Sequence, residues 1–449
     1  MDRRGFISTA GIGAAAVATG SAVAQQAAPT VPDAPGNRIL RPLVTGLQPL
    51  KITGVEIIEA HGPIEIDDLG GGEGGGAWAA LRNVYEEYTN TDYAPAPTGK
   101  KRTVNYTARY LRIATASGIE GFYGPIDDET VPVILKYLKP FIMGKDALAG
   151  ETLWDQMFRS NRHSREGWFM MGISAVDNTL WDLRAKHFGV PVYRLLGGPT
   201  RSEIEYYCSC GATNTQPEVL KKQALGYKTM GFKAQKWFIG YGPSAGSEGM
   251  RKNVEAVRIL RETLGEDYEI MFDATTGWDA TYAKEWTSRV EKYRPKWIEE
   301  LTHPEKLDGF TDVSRATKIP LATGEHLYNR WDVERNLQSG ALSIIQADPE
   351  WCGGITESIK IGTVASLHDV QVIPHGHNSL RAAAHIILSQ SPMTYPMGEF
   401  LYSSMTIRFQ LENDPPDKQV QNGRMKAPTK PGFGIQIDDS KVKDRKVLQ

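Results

Sequence analysis

Glu269-Ile-Met-Phe-Asp273, Lys296-Trp-Ile-Glu299 and Pro320-Leu-Ala-Thr-Gly-Glu325 follow one another at an even step, each a short apolar run that stops on a carboxylate. The pattern continues on both sides. Phe232-Lys-Ala-Gln-Lys236 stands upstream, and Ser343-Ile-Ile-Gln-Ala-Asp348, Val370-Gln-Val-Ile-Pro-His375 and Met397-Gly-Glu399 follow. From Lys236 onward the steps are 37, 26, 26, 23, 27 and 24 residues. About 25 residues hold one strand, one helix and two loops, which is the repeat of βα units around a parallel sheet. With residues Tyr206 to Cys210 as an opening strand the count reaches eight. Eight such units close into a barrel of roughly 250 residues whose reactive groups gather at the C-terminal strand ends.

Each polar terminus has an ordinary explanation when taken singly. Asp after a strand caps the next helix, and Glu or Lys opens a solvated loop. Seven at barrel periodicity, however, converge on one mouth. There Asp273, Glu299 and Glu325, on neighbouring strands, would repel one another unless a cation lay between them. Three oxygen donors suit Mg²⁺, which keeps positions open for substrate oxygens. Asp348 and His375 end the next two strands, a carboxylate placed to orient an imidazole and raise its basicity. A metal on one side and a base on the other make a site for proton abstraction.

Composition agrees with a large folded enzyme. The 449 residues carry 51 Lys+Arg against 53 Asp+Glu, a net charge of −2 that argues against a dedicated nucleic-acid or anionic-membrane binder. A hydrophobic content of 41% with ten Trp excludes wholesale disorder. Cys208, Cys210 and Cys352 are too few for a disulfide framework, and no further Cys or His pair stands at zinc-site spacing. Upstream of the ladder, Ile173, Val176, Leu180 and Leu183 recur at helical spacing until Gly189-Val-Pro191 stops the helix. Earlier still, strands are expected from Lys51, over 105–115 and within 118–124, with helical periodicity over 131–142. Between the first two strands, Gly70 to Gly76 precedes Trp78, Tyr85, Tyr88, Tyr93 and Lys100-Lys-Arg102. That run lacks the Lys-Ser/Thr ending of a phosphate loop and fits a mobile lid or a surface loop.

The N-terminus has the order of an export signal. Arg3-Arg4 precede a weakly apolar Gly/Ala stretch that ends at Ala22-Val-Ala24, a small-x-small cleavage pattern. A twin-arginine signal over 1–24 with Gln25 as first mature residue is the expectation, placing the folded protein in the periplasm. Residues 25–48, rich in Ala, Pro and Gly, read as a linker. No run of eighteen apolar residues follows, so no membrane span is expected in the mature chain.

The residues so assembled resemble the enolase superfamily, in its mandelate racemase / muconate lactonizing branch, over nearly the whole mature chain. The resemblance is carried by Ala175-Val-Asp-Asn-Thr-Leu-Trp-Asp-Leu183, Gly189 to Gly198, Trp297-Ile-Glu-Glu300, Gly324-Glu-His326, Asp348-Pro-Glu-Trp-Cys-Gly-Gly354, Pro374-His-Gly376 and Pro431-Gly-Phe-Gly434. Within the branch, Gly240-Tyr-Gly-Pro243, Gly249-Met-Arg-Lys-Asn253 and Trp351-Cys-Gly-Gly354 most resemble the rhamnonate dehydratase group. The resemblance implies a modified (β/α)7β TIM-type barrel over 173–410, an N-terminal α+β capping domain over 49–172, and a tail over 411–449 that returns to the cap. It implies Asp273, Glu299 and Glu325 as Mg²⁺ ligands, His375 as general base, Asp348 as its partner, and Glu399 as an acid toward the substrate. Lys236 would offset charge on the substrate carboxylate. His377, Lys100, Arg102 and Trp351 are further candidate substrate contacts, and the Gly70–Gly76 stretch becomes a lid. A small-molecule carboxylate sugar as substrate and a homo-oligomer are implied as well.

One position departs from the family pattern. Lys-x-Lys on the second barrel strand is here Lys236-Trp-Phe238, so the second base is missing. Racemisation needs bases on both faces, whereas dehydration through one histidine does not. The expected reaction is loss of water from a sugar acid to a 2-keto-3-deoxy acid. Cycloisomerisation, another elimination or epimerisation on the same scaffold, and a non-catalytic exported sugar-acid binder, are the alternatives.

Overall fold

Two alternating strands of unusual length begin the fold. The computed structural model describes residues 49–67, 100–163, 165–213 and 216–449. The proposed signal, the linker and the Gly70–Gly76 lid with Trp78, Tyr85, Tyr88 and Tyr93 lie outside the described residues. Strand β1 (Ile52–Asp67) pairs antiparallel with β2 (Lys101–Thr115), Val55 opposite Ile113 and Ile57 opposite Leu111. Those four side chains are buried, and β3 (Glu120–Tyr123) extends the sheet beyond β2. Residues 130–142 are helical, π-wound from Ile134 to Leu138. Helix α1 (Gly150–Ser160) turns Leu153, Trp154, Met157 and Phe158 inward.

Helix α2 (Gly167–His187) is buried along most of its length and contacts both β3 and the barrel helices. Ile173, Val176, Leu180 and Leu183 pack into the core at the spacing that the sequence shows. The barrel strands then follow as β4 (Glu203–Ala212), β5 (Ala234–Phe238), β6 (Glu269–Asp273), β7 (Ile298–Glu299), β8 (Leu321–Thr323), β9 (Ile344–Ile345), β10 (Gln371–Val372) and β11 (Gly398–Leu401). They are joined in parallel in the order β10-β9-β8-β7-β6-β5-β4-β11. Between β10 and β11 there is no ladder among the described residues. The Val372 amide instead donates to the Thr394 carbonyl at 2.7 Å.

The intervening helices start where their sequence offers caps. Asp279 accepts the Tyr282 amide at the head of α3 (Ala280–Val290), and Asn329 accepts those of Trp331 and Asp332 at the head of α4 (Arg330–Leu337). Helix α5 (Gly354–Leu367) begins immediately after the Asp348 loop, and α6 (Leu380–Ser389) follows His375. Strand β12 (Arg424–Lys426) then pairs with β4, and β13 (Asp444–Leu448) returns to β1, with Ile57 opposite Leu448. Residues 49–449 form one compact unit, an α/β barrel of the (β/α)7β type with an antiparallel capping sheet.

Candidate active site

Period-two alternation builds the site. Tyr207, Ala234, Met271, Trp297, Ala322, Ile344 and Ile373, with Met397 against them, form an apolar cluster separate from the main core. One such residue lies in or immediately beside each barrel strand, whereas neighbours such as Cys208, Phe272, Ile298 and Ile345 belong to the outer core. The separate cluster therefore fills the barrel lumen. Two residues on from each lumen side chain, the same face presents Ser209, Lys236, Asp273, Glu299, Gly324, Gln346, His375 and Glu399. Five of the seven sequence candidates at strand ends are thus brought together in one layer. Glu325 reaches in from the residue after Gly324, and Asp348 stands one step above Gln346.

Lys236 is the cation of this layer. Its Nζ lies 3.3 Å from Asp273 Oδ2 and 2.9 Å from Glu399 Oε1, and it bonds to Glu299 Oε1. The side chain is 1% exposed, so desolvation pulls its pKa down, yet Glu299 and Glu399 more than offset this and hold it well above the usual lysine range. Burial pushes the Glu299 carboxyl up to about 8, against the pull of Lys236. Glu399 is also pushed up by burial, but Lys236 and His375 outweigh that and keep it below the ordinary value. Glu399 Oε2 accepts the Gly376 amide at 2.9 Å, and Glu299 Oε2 accepts Trp297 Nε1 at 3.1 Å.

The donor set fits a hard divalent cation. Burial, followed by the charges of Glu325, Asp273 and Glu299, raises the Glu300 carboxyl well above its usual range, and its Oε1 has no hydrogen-bond partner. Glu300, Glu325 and His326 bring one donor atom each within 4.8 Å of one another. This differs from the expected trio. Asp273 and Glu299 turn toward the Lys236 ammonium, while Glu325 leans toward Glu300 and His326. Asp273, Glu299, Glu300, Glu325 and Glu399 crowd five carboxyl groups around a single ammonium, so a shortage of positive charge is built into the mouth. Glu300 (φ 50°), Thr275 (φ 47°) and Thr276 (φ 57°) occupy the left-handed region, and the Thr276 amide donates to the Glu300 carbonyl at 2.7 Å. Backbone held this way at about 1–2 kcal/mol per residue fixes where β6 and β7 deliver their carboxylates.

On the opposite side stands the dyad. His375 Nδ1 is 2.8 Å from Asp348 Oδ2, and Asp348 Oδ1 accepts the Glu350 amide at 2.7 Å. His375 Nε2 therefore faces the mouth, 3.4 Å from Glu325 Oε2. Burial pulls the imidazole pKa down, but Glu325 and the Asp348 bond outweigh it and raise it to about 10. The Trp351 ring lies 4.8 Å from that of His375 and 5.6 Å from those of His326 and His377, walling the mouth.

His377 stands beside the base, against Trp351. Its Nε2 accepts from Arg408 Nη2 at 2.6 Å, and burial with Arg408 beside it pushes its pKa down to about 3. Arg408 and Asn378 also donate to Asp127, in the loop after β3, at 3.1 and 3.0 Å, so capping sheet and barrel mouth are joined there. Lys100 and Arg102 lie at the far end of the β1–β2 hairpin, exposed, with Arg102 opposite Ile66. No contact among the described residues brings Arg102 to the mouth. Ser209, Gln346, Glu300 and Glu350 were not singled out by sequence. For the first two the signal was available, since each stands two residues past a lumen-facing side chain.

Comparison with known proteins gives the same organisation. Residues 87–197 match the N-terminal domain of mandelate racemase / muconate lactonizing enzymes, and 219–441 match the family described as enolase C-terminal domain-like. Over 313 residues the chain is 35% identical to an L-rhamnonate dehydratase of Saccharopolyspora erythraea, spanning 68% of this chain and 76% of that protein. The rhamnonate dehydratase from Gibberella zeae complexed with Mg superposes with a TM-score of 0.72 at 27% identity, over 88% of this chain and 96% of that one. A 3,6-anhydro-D-galactonate cycloisomerase from Zobellia galactanivorans gives 0.69 at 26% identity, over 88% and 100%.

Proposed function

Because the chain belongs to the mandelate racemase / muconate lactonizing enzyme family of the enolase superfamily, we propose that it is a Mg²⁺-dependent hydro-lyase of a monocarboxylic sugar acid. Asp273, Glu299 and Glu325 would hold the ion, which when bound supplies Lewis acidity toward the substrate carboxylate. The observation that carries the reading is the Asp348–His375 pair facing a carboxylate cluster across one barrel mouth.

His375 Nε2 takes the proton from C2, while Asp348 holds Nδ1 and stabilises the imidazolium. A cation on Glu325 would cancel one of the charges that raise His375, bringing the imidazole toward the range of a working base. The Lys236 ammonium, fixed before substrate arrives, faces the charge that develops on the carboxylate. The C2–H electron pair passes first into the carboxylate as an enediolate, then returns to form the C2–C3 π bond as the C3–O bond breaks. His375 returns its proton to the departing hydroxyl as water, and the enol product ketonises to a 2-keto-3-deoxy acid. Phe238, two residues past Lys236 on the same face of β5, has its ring 5.6 Å from Nζ and supplies no second base.

Proton NMR in D₂O with Mg²⁺ over a panel of aldonates and uronates tests the reading. Loss of the C2 proton with a new deuterated C3 methylene is expected, and His375→Asn should lower turnover by about 10³-fold or more while still binding Mg²⁺. Near-normal turnover of that variant would overturn the assignment. A cyclised or ring-opened isomer as sole product would favour the cycloisomerase reading, which uses the same residues. We also propose export to the periplasm, supported by Arg3-Arg4, the weakly apolar stretch and Ala22-Val-Ala24 in order. The reading extends to a homo-oligomeric enzyme, and size measurement in solution tests that part.

A further inference from the structure

One member of the lumen layer has no part in the charge network. Gln346 is 1% exposed, and both its Oε1 and its Nε2 lack a hydrogen-bond partner. A buried primary amide with both ends unpaired is costly unless something arrives to pair it. Its position is fixed on both sides. The Gln346 amide donates to the Thr323 carbonyl at 2.9 Å, and its carbonyl accepts the His375 amide at 3.2 Å. Alternation from Ile344 turns the side chain to the lumen, between the base and Gly324, the residue before Glu325. Gly324 has φ 129°, and a Cβ there would meet the backbone nitrogen of Gln346 at 2.9 Å, so glycine is what lets the chain after β8 lie this close to Gln346.

We infer that Gln346 is a substrate-contacting residue that holds the C3 hydroxyl, the group expelled, in reach of His375; this rests on the dehydratase reading above. A primary amide sets N–H donors beside a carbonyl acceptor, a pair that a hydroxyl can match together and a carboxylate cannot. The carboxylate end of the substrate already has Lys236 and the cation. His375 must reach both the C2 proton and the C3 oxygen, and Gln346 is its neighbour in the layer. The amide carbonyl accepts the hydroxyl proton, fixing the oxygen's orientation. The amide N–H donates to that oxygen as the C3–O bond breaks and negative charge builds there.

The test compares wild type, Gln346→Leu and His375→Asn with Mg²⁺ in D₂O on the substrate found in the panel. Two rates are read, C2 deuterium exchange into recovered substrate and formation of keto acid. Gln346→Leu should lose about 10- to 100-fold in kcat with KM within about threefold, as one or two hydrogen bonds to the leaving oxygen vanish. Exchange should persist, so its ratio to elimination rises by about tenfold or more. Unchanged kcat and an unchanged ratio would overturn the role of Gln346 while His375→Asn remains inactive. If His375→Asn matched wild type, the dehydratase reading itself would fail. Should Gln346→Leu not unfold cooperatively, Gln346→Met, of closer shape, carries the same expectations. An equal loss of exchange and elimination in it would mark a structural role and overturn the inference.

Discussion

Lys236 balances charge that would otherwise break the barrel mouth. Three carboxylates touch its ammonium, and none of the four groups is more than 2% exposed. Removing one partner from a buried network leaves the others uncompensated, at about 3–5 kcal/mol. Lys236→Met should therefore lower the thermal midpoint of the metal-free protein strongly. Mg²⁺ should restore more of that loss than it adds to wild type, because ammonium and ion compete for Asp273 and Glu299. Equal Mg²⁺-induced shifts in the two proteins, followed by calorimetry, would show that Lys236 is not the counter-charge. The ionised members of this layer were legible in the sequence for one reason: a charge ending an apolar run is conspicuous. Gln346 was hidden by Asp348 two residues later, and Ser209 by the cysteines on either side of it. Glu300, overshadowed by Glu299 before it, is buried with an unpartnered oxygen, which places it in the cluster. The geometry of the candidates was less legible than their identity. His377 looked available beside the base, but Arg408, from 31 residues further along the chain, takes its free nitrogen.

The Asp348 loop is held from outside the barrel by α2. Ser174 Oγ accepts the Gly353 amide at 2.8 Å, Asn178 Oδ1 accepts that of Ile355 at 3.0 Å, and Asp177 Oδ2 that of Thr356 at 2.9 Å. These are the otherwise orphaned donors at the head of α5, capped by another helix instead of by their own sequence. Gly354, at φ 82°, lets the two come together, since a Cβ there would sit 2.5 Å from Asp177 Oδ2. Asn178 Nδ2 also donates to the carbonyl of Pro349, the residue after the dyad carboxylate, at 3.2 Å. Asn178→Ala leaves two buried groups unpaired, at about 1–3 kcal/mol each. Its urea midpoint should fall accordingly, and kcat should fall with it as Asp348 loses its hold. An unchanged midpoint would contradict the account. The Ala175–Leu183 motif is thus a structural adapter, which its helical period announced in part. Its apolar stripe was readable, whereas the targets of its polar face were not, because they lie some 170–180 residues away. Strand order was legible for the same reason as the site, since eight units of about 25 residues, each ending on a polar group, are the count that closes a barrel with its strands in sequence order. The weak seam between β10 and β11 had no sequence mark.

At the scale of the whole chain, β1 lies inside the capping sheet with β2 on one side and β13, the last strand, on the other. That closure had no local signal. The burial pattern of Asp444–Leu448 shows no buried face, and only the family resemblance implied a tail returning to the cap. Its consequence concerns export. The capping sheet cannot be completed until residues 444–448 have been synthesised, and the barrel's β4 likewise awaits β11 and β12. A chain whose capping strand β1 needs β13 is suited to a route that carries folded cargo. The paired arginines are the feature that such a route reads. Replacing Arg3 and Arg4 together by Lys should leave residues 49–449 folded and catalytically competent but retained in the cytoplasm. Wild type should appear in the periplasmic fraction with Gln25 at its N-terminus. Fractionation, N-terminal sequencing and the turnover assay on each fraction check this together. Periplasmic, processed protein from the double-lysine variant would remove the twin-arginine reading and leave the catalytic one intact. Cytoplasmic protein that is inactive even with added Mg²⁺ would show instead that the pair contributes to folding.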